Sequence, residues 1–250
     1  MQVIGVTGGV GCGKSEVLKH LQTLCTCDVI RTDDVANAVK EPGGICYNEI
    51  VALLGEDVLE ERSLDCARDD NARPIDRGKM AEKIFSDDTL LKQVNAILHP
   101  AVRNYVLEQI KTARKENALD VLFVEAALLI ESGYVSKRSL DCARDDRRTL
   151  DSTPRGCVED NKETVILDEM WYVYAPEDVR RERLKKYRGY SDEKINSIMA
   201  KQLTEEQFRA GCDFEINNGG AIETAVAQAG ERIRSLGAPR DDKTTRVDRE

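Results

Sequence analysis

The sequence predicts an α/β fold in which helices cover both faces of a parallel β-sheet. Short runs of apolar and β-branched residues alternate along the chain with longer stretches whose apolar positions have helical spacing. Two of the runs, 121–124 and 171–174, are apolar at every position. Such runs are typical of strands that are buried on both faces, as the inner strands of parallel sheets are.

Each element is predicted from its own residues. Strands are expected at 2–7, 28–32, 121–124, 171–174 and 214–216, and helices at 14–24, 35–39, 47–54, 76–118, 176–187, 191–209 and 221–236. The Pro-Gly-Gly triplet at 42–44 ends the second helix, and Gly55 is the predicted stop of the third. His99 precedes Pro100, and the residue before a proline is disfavoured in helical geometry, so an interruption of the long helical stretch is expected there.

The charge balance limits the possible partners. The chain has 37 basic and 46 acidic residues and a net charge of −9 at pH 7, which argues against a nucleic-acid partner held by a global positive field. No apolar run approaches the roughly 18 residues of a membrane-spanning helix. The first residues also lack the basic start and the cleavage site of a secretory signal. We therefore expect a cytoplasmic protein without a nucleic-acid or membrane partner. We also expect it to be a monomer.

The eight cysteines are expected to be reduced thiols. No two of them have Cys-x-x-Cys spacing, the Cys-Thr-Cys segment at 25–27 has the wrong spacing for a zinc knuckle, and the chain has only two histidines. A long chain without an export signal is also not of the disulfide-rich class. The cysteines therefore predict neither a disulfide framework nor a dedicated transition-metal site.

One nonapeptide, Arg-Ser-Leu-Asp-Cys-Ala-Arg-Asp-Asp, occurs twice without change, at 62–70 and at 138–146. Structural repeats diverge and recur at the spacing of a stacking unit, whereas these copies are polar and have unrelated neighbours. We interpret them as parts of two polar insertions, 62–73 and 137–163. The polar end of the chain, 237–250, is expected to be a loose tail.

A phosphate-binding loop is predicted at 8–15, because Gly-Gly-Val-Gly-Cys-Gly-Lys-Ser fulfils the P-loop pattern G-x-x-x-x-G-K-[ST]. A predicted strand precedes the loop and a predicted helix follows it, as the motif requires. The N–H groups of such a loop converge on phosphate oxygens, and the helix presents its positive end to them. Lys14 can reach the β- and γ-phosphates, and the hydroxyl group of Ser15 suits Mg²⁺. The predicted nucleotide contacts are Gly9, Gly11, Cys12, Gly13, Lys14, Ser15 and Glu16.

Two carboxylates at predicted strand ends are candidates for chemistry. Asp33 follows the second strand, where it can accept a proton from an attacking hydroxyl group or can cap the next helix, as Asp34 can equally well. Glu125 follows the strand at 121–124 and resembles the acid that holds Mg²⁺ through a water molecule; a generic strand-end carboxylate is the alternative. The residues alone leave both alternatives open.

Together, these features resemble the dephospho-coenzyme A kinase family. The family opens with a T-G-G-x-G-x-G-K-S loop, matched at 7–15, and carries an H-P pair, matched at 99–100. The other matched segments are 30–33, 41–43, 76–77, 84–85, 127–131, 183–188, 200–202 and 213–220. The likeness covers nearly the whole chain outside the two insertions and the tail.

Three residues depart from the family pattern. Arg31 replaces the first aspartate of the second-strand pair, Ala127 replaces a proline, and Glu16 replaces a threonine. The carboxylate of Glu16 is tolerable near phosphate if it points away. The P-loop lysine and serine and the family's base, at Asp33, are kept, so activity is expected.

The resemblance implies an ATP- and Mg²⁺-dependent transfer of a phosphoryl group to the ribose 3′-hydroxyl group of dephospho-coenzyme A, the last step of coenzyme A biosynthesis. It implies that Lys14 holds the phosphates of ATP and that Ser15 binds Mg²⁺. Asp33 would take the proton of the hydroxyl group, and Arg188 on the lid would help to neutralise the transferring group.

The resemblance also divides the chain, 1–236, into the parts of one P-loop NTPase domain. The core is expected at 1–40, 119–136, 165–182 and 211–236, a helical acceptor subdomain at about 45–118, and a small lid at about 183–210. Arg77, His99 and Arg103 are expected to contact the phosphates of the acceptor. For each of the three, a plain structural role on a helix is the alternative.

Other function classes compete with this interpretation. A kinase of another small acceptor, such as a nucleoside monophosphate or a sugar acid, shares the loop and the strand-end acid but is not expected to carry the segments at 99–100 and 128–131 as well. An ATP-binding pseudo-enzyme also has the loop. A GTPase-like switch is disfavoured because the chain has no N-K-x-D motif; Asn161 and Lys162 are followed by Glu163 and Thr164.

Overall fold

The computed structural model describes residues 1–60, 73–130, 132–137 and 165–237. The two expected insertions and the expected tail lie outside the described residues, apart from Arg73, Lys137 and Gly237 at their edges. Glu131 of the segment at 127–131 also lies outside them. These predictions therefore stay predictions.

A parallel sheet of five strands carries the predicted α/β fold. Its strands are β1 (Gln2–Thr7), β2 (Cys27–Arg31), β3 (Val121–Glu125), β6 (Glu169–Tyr174) and β7 (Phe214–Asn217). They are ordered β2-β3-β1-β6-β7, with β1 parallel to both β3 and β6, and β6 parallel to β7. The predicted parallel sheet flanked by helices is thus confirmed, and the strand bounds agree with the apolar runs to within two residues.

A second, two-stranded parallel sheet is formed by β4 (Tyr134–Ser136) and β5 (Val165–Leu167). The sequence prediction missed both strands. Each has only three residues, which is too short for an alternation of apolar and polar residues to stand out.

The helices are α1 (Lys14–Leu21), α2 (Thr32–Ala38), α3 (Tyr47–Leu54), α4 (Arg77–Ser86), α5 (Asp88–Glu116), α6 (Glu177–Arg188), α7 (Asp192–Met199), α8 (Glu205–Gly211) and α9 (Ile222–Ser235). A short 3-10 helix lies at Glu56–Val58. Within the part of the chain that the structure describes, no helix is long and apolar enough to cross a membrane.

The expected interruption at His99 is wrong, because α5 continues through Pro100. A proline inside a helix removes one N–H donor and crowds the carbonyl groups of the preceding turn. In the turn before Pro100, the carbonyl oxygen of Ile97 accepts a hydrogen bond from the thiol of Cys46 at 3.8 Å. The actual break comes earlier, at Asp87, whose carboxylate accepts from the N–H of Thr89 at 2.7 Å and so starts α5.

The single helix expected at 191–209 is also wrong, since two helices, α7 and α8, occupy this segment. Ser191 does cap the first of them, and its hydroxyl group accepts from the N–H of Lys194 at 3.3 Å. Thr204 and Gln207 form a capping box, in which each side chain accepts from the other residue's N–H. This box starts a new helix and separates it from α7.

The chain divides into two compact units, Met1–Ile30 with Ile110–Glu250, and Arg31–Gln109. In the first unit, apolar side chains from β1, α1, β6 and α9 form the core. Trp171 is fully buried in it, and its ring packs edge to face against Phe123 and Phe214, with centroids 5.8 and 5.4 Å apart. This core supports the loop between β1 and α1.

The second unit is helical and contains α2, α3, α4 and most of α5. Ile50, Leu54 and Val58 are buried in its core. The hydroxyl group of Tyr47 donates to the carbonyl oxygen of Arg73 at 2.6 Å, and Lys83 pairs with Asp57 at 2.7 Å. The assignment of 45–118 to the acceptor and of 183–210 to a lid stays a prediction.

Candidate active site

The glycine-rich loop joins β1 directly to α1, and its backbone leaves no room for side chains. Gly13 has φ 87°, and a Cβ atom there would lie 2.5 Å from Nδ2 of Asn218. A Cβ atom on Gly8 would lie 2.5 Å from the carbonyl oxygen of Val173. Glycine is therefore required at both positions. Because α1 begins at Lys14, its free N–H groups and positive end lie at the loop, as anion binding requires.

Lys14 lies over this loop. Its ammonium group donates to the carbonyl oxygen of Gly8 at 2.7 Å and lies 3.9 Å from the sulfur of Cys12. Cys12 is buried, and its side chain belongs to the core of the first unit. The lysine is thus held at the part of the loop where phosphate oxygens would bind.

The side-chain oxygens of Ser15 and Glu125 meet next to the loop. The hydroxyl group of Ser15 donates to Oε1 of Glu125 at 2.6 Å. Glu125 ends β3 and pairs in register with Val6 of β1, so the parallel sheet brings the acid to the loop. Among the described residues there is no cluster of three or more metal-binding side chains. One hydroxyl group and one carboxylate nevertheless fit Mg²⁺, which is usually held by few protein ligands together with substrate phosphates.

Arg180 and Gln202 hold the turn of the loop at Val10. The guanidinium group of Arg180 donates to the carbonyl oxygen of Val10 at 2.9 Å and to Oε1 of Gln202 at 2.9 Å. The same Gln202 oxygen accepts from the N–H of Val10 at 3.1 Å. Arg180 lies on α6 and Gln202 follows α7, so the segment after β6 braces the loop.

Arg183 and Asn218 hold the loop two residues further along the chain, at Cys12. The carbonyl oxygen of Cys12 accepts from Arg183 at 3.3 Å and from Nδ2 of Asn218 at 2.8 Å. Arg183 also donates to the carbonyl oxygen of Asn218 at 2.9 Å. Asn218 is 2% exposed and follows β7. The sequence prediction assigned no role to Arg180, Arg183, Gln202 or Asn218, although the last three lie in segments that match the family pattern.

The other predicted residues of the first unit are placed as follows. Glu16 is exposed in the first turn of α1, and its carboxylate lies 3.6 Å from Nδ1 of His20, which leaves the loop free of its charge. Arg188 is the last residue of α6 and is exposed. None of the hydrogen bonds described for the loop involves Arg188; the arginines that reach the loop are Arg180 and Arg183.

Asp33 lies in the first turn of α2, in the second unit, and is exposed. The interpretation of Asp33 or Asp34 as the cap of this helix is wrong. The N-cap position is occupied by Arg31, and no side chain makes the capping hydrogen bond. The carboxylate of Asp33 is therefore available for another task.

The three residues expected to contact acceptor phosphates also lie in the second unit. Arg77 begins α4, is largely exposed, and lies 3.9 Å from the carboxylate of Glu41. His99 and Arg103 are four residues apart on α5, so they share one face of that helix. His99 is exposed, whereas Arg103 is only 9% exposed.

Comparisons with known proteins agree with these features. Residues 2–143 match the family model of dephospho-CoA kinase. The chain is 30% identical to the dephospho-CoA kinase of Geobacillus kaustophilus, over 90% of this chain and 92% of that protein. It is 28% identical to that of Corynebacterium diphtheriae, over 92% and 95% of the two chains.

The fold is shared with a solved dephospho-CoA kinase from Campylobacter jejuni, with a TM-score of 0.54 and 18% identity over 94% of this chain and 97% of that one. The family model spans more than half of this chain, and it matches the segment that holds the P-loop and Glu125. The resemblance found in the sequence is therefore confirmed, and this chain belongs to the dephospho-CoA kinase family.

Proposed function

We propose that this protein transfers the γ-phosphoryl group of ATP to the ribose 3′-hydroxyl group of dephospho-CoA, giving CoA and ADP. The observation that carries the proposal is the hydrogen bond from Ser15 to Glu125 beside a complete P-loop, in a chain of this kinase family. A P-loop alone fits many nucleotide-binding proteins. Membership of the dephospho-CoA kinase family supports dephospho-CoA as the acceptor.

The phosphates of ATP are held in the first unit. The loop amides from Gly9 to Glu16 and the ammonium group of Lys14 bind phosphate oxygens. Ser15, and Glu125 through a water molecule, would hold Mg²⁺. When bound, Mg²⁺ neutralises charge on the β- and γ-phosphates. The positive charge of Arg188 helps to neutralise the negative charge of the phosphoryl group that is transferred.

The acceptor is held in the second unit, where Asp33 acts as the base. A bond forms between the 3′-oxygen of the ribose and the γ-phosphorus, while the bond between the γ-phosphorus and the bridging oxygen of ADP breaks. The proton of the hydroxyl group passes to the carboxylate of Asp33. Arg77, His99 and Arg103 contact the phosphates of the acceptor.

The test is an assay of ADP release with ATP and Mg²⁺, comparing dephospho-CoA, AMP, CMP and gluconate as acceptors. We expect turnover with dephospho-CoA alone. Asp33→Asn should lower kcat by about 10²- to 10⁴-fold, the usual contribution of a positioned base. Asp34→Asn is the matched control, because Asp34 is an exposed neighbour in the same helical turn, and it should keep kcat within about twofold of wild type.

Three outcomes would count against the proposal. Turnover with AMP, CMP or gluconate instead of dephospho-CoA would identify a different kinase. ATP binding without turnover of any acceptor would identify a pseudo-enzyme. Equal decreases of kcat in Asp33→Asn and Asp34→Asn would show that Asp33 is not the base.

A further inference from the structure

The second unit contains an open surface pocket beside α2 and α4. Its lining residues are Asn37, Lys40, Glu41, Ile75, Arg77 and Met80. Because the pocket is open at the surface, it can contact one group of a larger ligand without enclosing the whole ligand.

Two cationic side chains border the pocket. Lys40 is half-buried, and within the described residues its ammonium group makes neither a hydrogen bond nor an ion pair. Burial lowers the pKa of Lys40 below its ordinary value, and the charge of Arg77 lowers that pKa further, while Glu41 and Asp33 offset part of the change. An anion bound between Lys40 and Arg77 would supply the missing partner.

The pocket lies on the same helix face as the proposed base. Asp33 and Asn37 are four residues apart, and Lys40 follows at the seventh position, so the three share one face of α2 and its last turn. The N–H of Lys40 donates to the carbonyl oxygen of Asn37 at 3.1 Å, which continues the helical turn. With a rise of about 1.5 Å per residue, Lys40 lies about 10 Å along the axis from Asp33.

We propose that Lys40, Arg77 and the amide of Asn37 form the subsite for the diphosphate group of the acceptor. The inference rests on the proposed function, because it places the reacting ribose hydroxyl group at Asp33. In dephospho-CoA, the diphosphate is attached to the 5′-carbon of that same ribose. A ligand with its hydroxyl group at one end of the α2 face therefore extends its two negative charges toward the other end.

The side chains suit this group. Lys40 offers a compact charge with three N–H donors, and Arg77 offers a planar fork that binds phosphate oxygens in pairs. Ile75 and Met80 are buried, so the pocket has apolar sides that reduce screening by water. Glu41 is the one carboxylate in the lining, and its ion pair with Arg77 is long, at 3.9 Å, and largely exposed. Such a pair is weak and gives way to a doubly charged ligand.

The first test is steady-state kinetics of Lys40→Met. We expect KM for dephospho-CoA to rise by about 10- to 100-fold, which is the usual effect of losing one hydrogen bond to a charged group. KM for ATP and kcat should stay within about threefold of wild type. Lys40→Arg keeps the charge and should recover most of the affinity. Lys92→Met is the matched control, because Lys92 is an exposed lysine on α5 of the same unit, and it should behave as wild type.

The second test needs no turnover. Lysines of the Lys14→Ala variant, in which the P-loop has lost its phosphate-binding lysine, are ¹³C-methylated, and the Lys40 resonance is assigned with Lys40→Arg. We expect this resonance to move on addition of dephospho-CoA or inorganic pyrophosphate and to stay unchanged with adenosine. It should also titrate at a lower pH than the exposed lysines when no anion is present.

The outcomes separate the inference from the proposed function. If dephospho-CoA is phosphorylated but Lys40→Met leaves its KM unchanged, the subsite is wrong and the proposed function stands. A Lys40 resonance that responds to pyrophosphate but not to dephospho-CoA also overturns the subsite. If wild type phosphorylates no acceptor while the resonance responds to dephospho-CoA, the proposed function fails and the anion subsite is supported.

Discussion

Gly13 shows how strictly a single residue of the loop is constrained. Its φ of 87° lies in the left-handed region, and a Cβ atom would meet Nδ2 of Asn218 at 2.5 Å. Asn218 cannot move freely, because that same nitrogen donates to the carbonyl oxygen of Cys12 at 2.8 Å. The backbone conformation and one buried hydrogen bond therefore both disfavour a side chain at position 13.

Gly13→Ala should lower the free energy of unfolding by more than the roughly 1–2 kcal/mol that a left-handed alanine costs, and it should abolish detectable ATP binding. The control is Gly189→Ala, since Gly189 is also left-handed, with φ 61°, but has nothing within 4 Å of a Cβ atom. Urea denaturation and titration with ATP measure the two effects. Equal destabilisation of the two variants would mean that the contact with Asn218 is unimportant.

At the scale of elements, the loop is held by segments far from it in the chain. Gln202 is 192 residues from Val10, and its one side-chain oxygen accepts from both Val10 and Arg180. The Val10 N–H therefore has its partner in the segment after α7 rather than in the loop. Ordering of the loop depends on the docking of that segment.

Gln202→Leu should speed hydrogen exchange of the Val10 N–H by about tenfold, the value of one net hydrogen bond, and should raise KM for ATP several-fold. Nuclear magnetic resonance and kinetics measure these changes. Gln22→Leu, at an exposed position after α1, is the control and should leave both unchanged. An unaltered exchange rate in Gln202→Leu would show that the brace does not order the loop.

The link between β6 and α9 is an ion pair. Glu169 is 5% exposed, and its carboxylate accepts from the Nε of Arg232 at 3.0 Å and from the indole N–H of Trp171 at 2.9 Å. Arg232→Met leaves the buried carboxylate without its counter-charge, so the free energy of unfolding should fall by about 3 kcal/mol. Arg234→Met, an exposed position on the same helix, should change it by less than about 0.5 kcal/mol. Urea denaturation distinguishes the two, and similar losses would contradict the assigned role.

At the scale of the whole molecule, several ionisable side chains keep their protons in the folded protein at a pH at which they lose them in the unfolded chain. Burial raises the pKa of Cys212 from 9.0 to about 12. The pKa of Cys27 is also raised, first by a hydrogen bond with the side chain of Cys25 and then by burial. Burial raises the pKa of Tyr172 as well. Above pH 9 the unfolded chain therefore binds fewer protons than the folded one, and stability falls as pH rises.

Between pH 9 and pH 11, each such group should lower the free energy of unfolding by up to about 1.4 kcal/mol per pH unit. Urea denaturation at pH 8, 9, 10 and 11 measures the slope. Cys212→Ala removes one titrating group, so its stability should decline less steeply with pH than that of wild type. Parallel declines in the two proteins would show that Cys212 does not contribute.

The sequence by itself determined the parallel sheet, most helices, the P-loop and the family. These features depend on local patterns: apolar runs predict β1, β3 and β6, and the spacing of glycines, Lys14 and Ser15 predicts the loop. Local turn chemistry also predicted the end of α3 at Gly55, which has φ 87°. Neighbouring residues are sufficient for such predictions, because backbone conformation and alternation of burial act over a few positions.

Only the tertiary structure decided which residues brace the loop and how the helices continue. Arg180, Gln202 and Asn218 meet Val10 and Cys12 through contacts that span about 170 to 206 residues of chain. The hydrogen bond from the thiol of Cys46 to the carbonyl oxygen of Ile97 on α5 likewise spans 51 residues. No local pattern encodes such contacts, because they arise only when packing of the core brings distant backbone groups within hydrogen-bond distance.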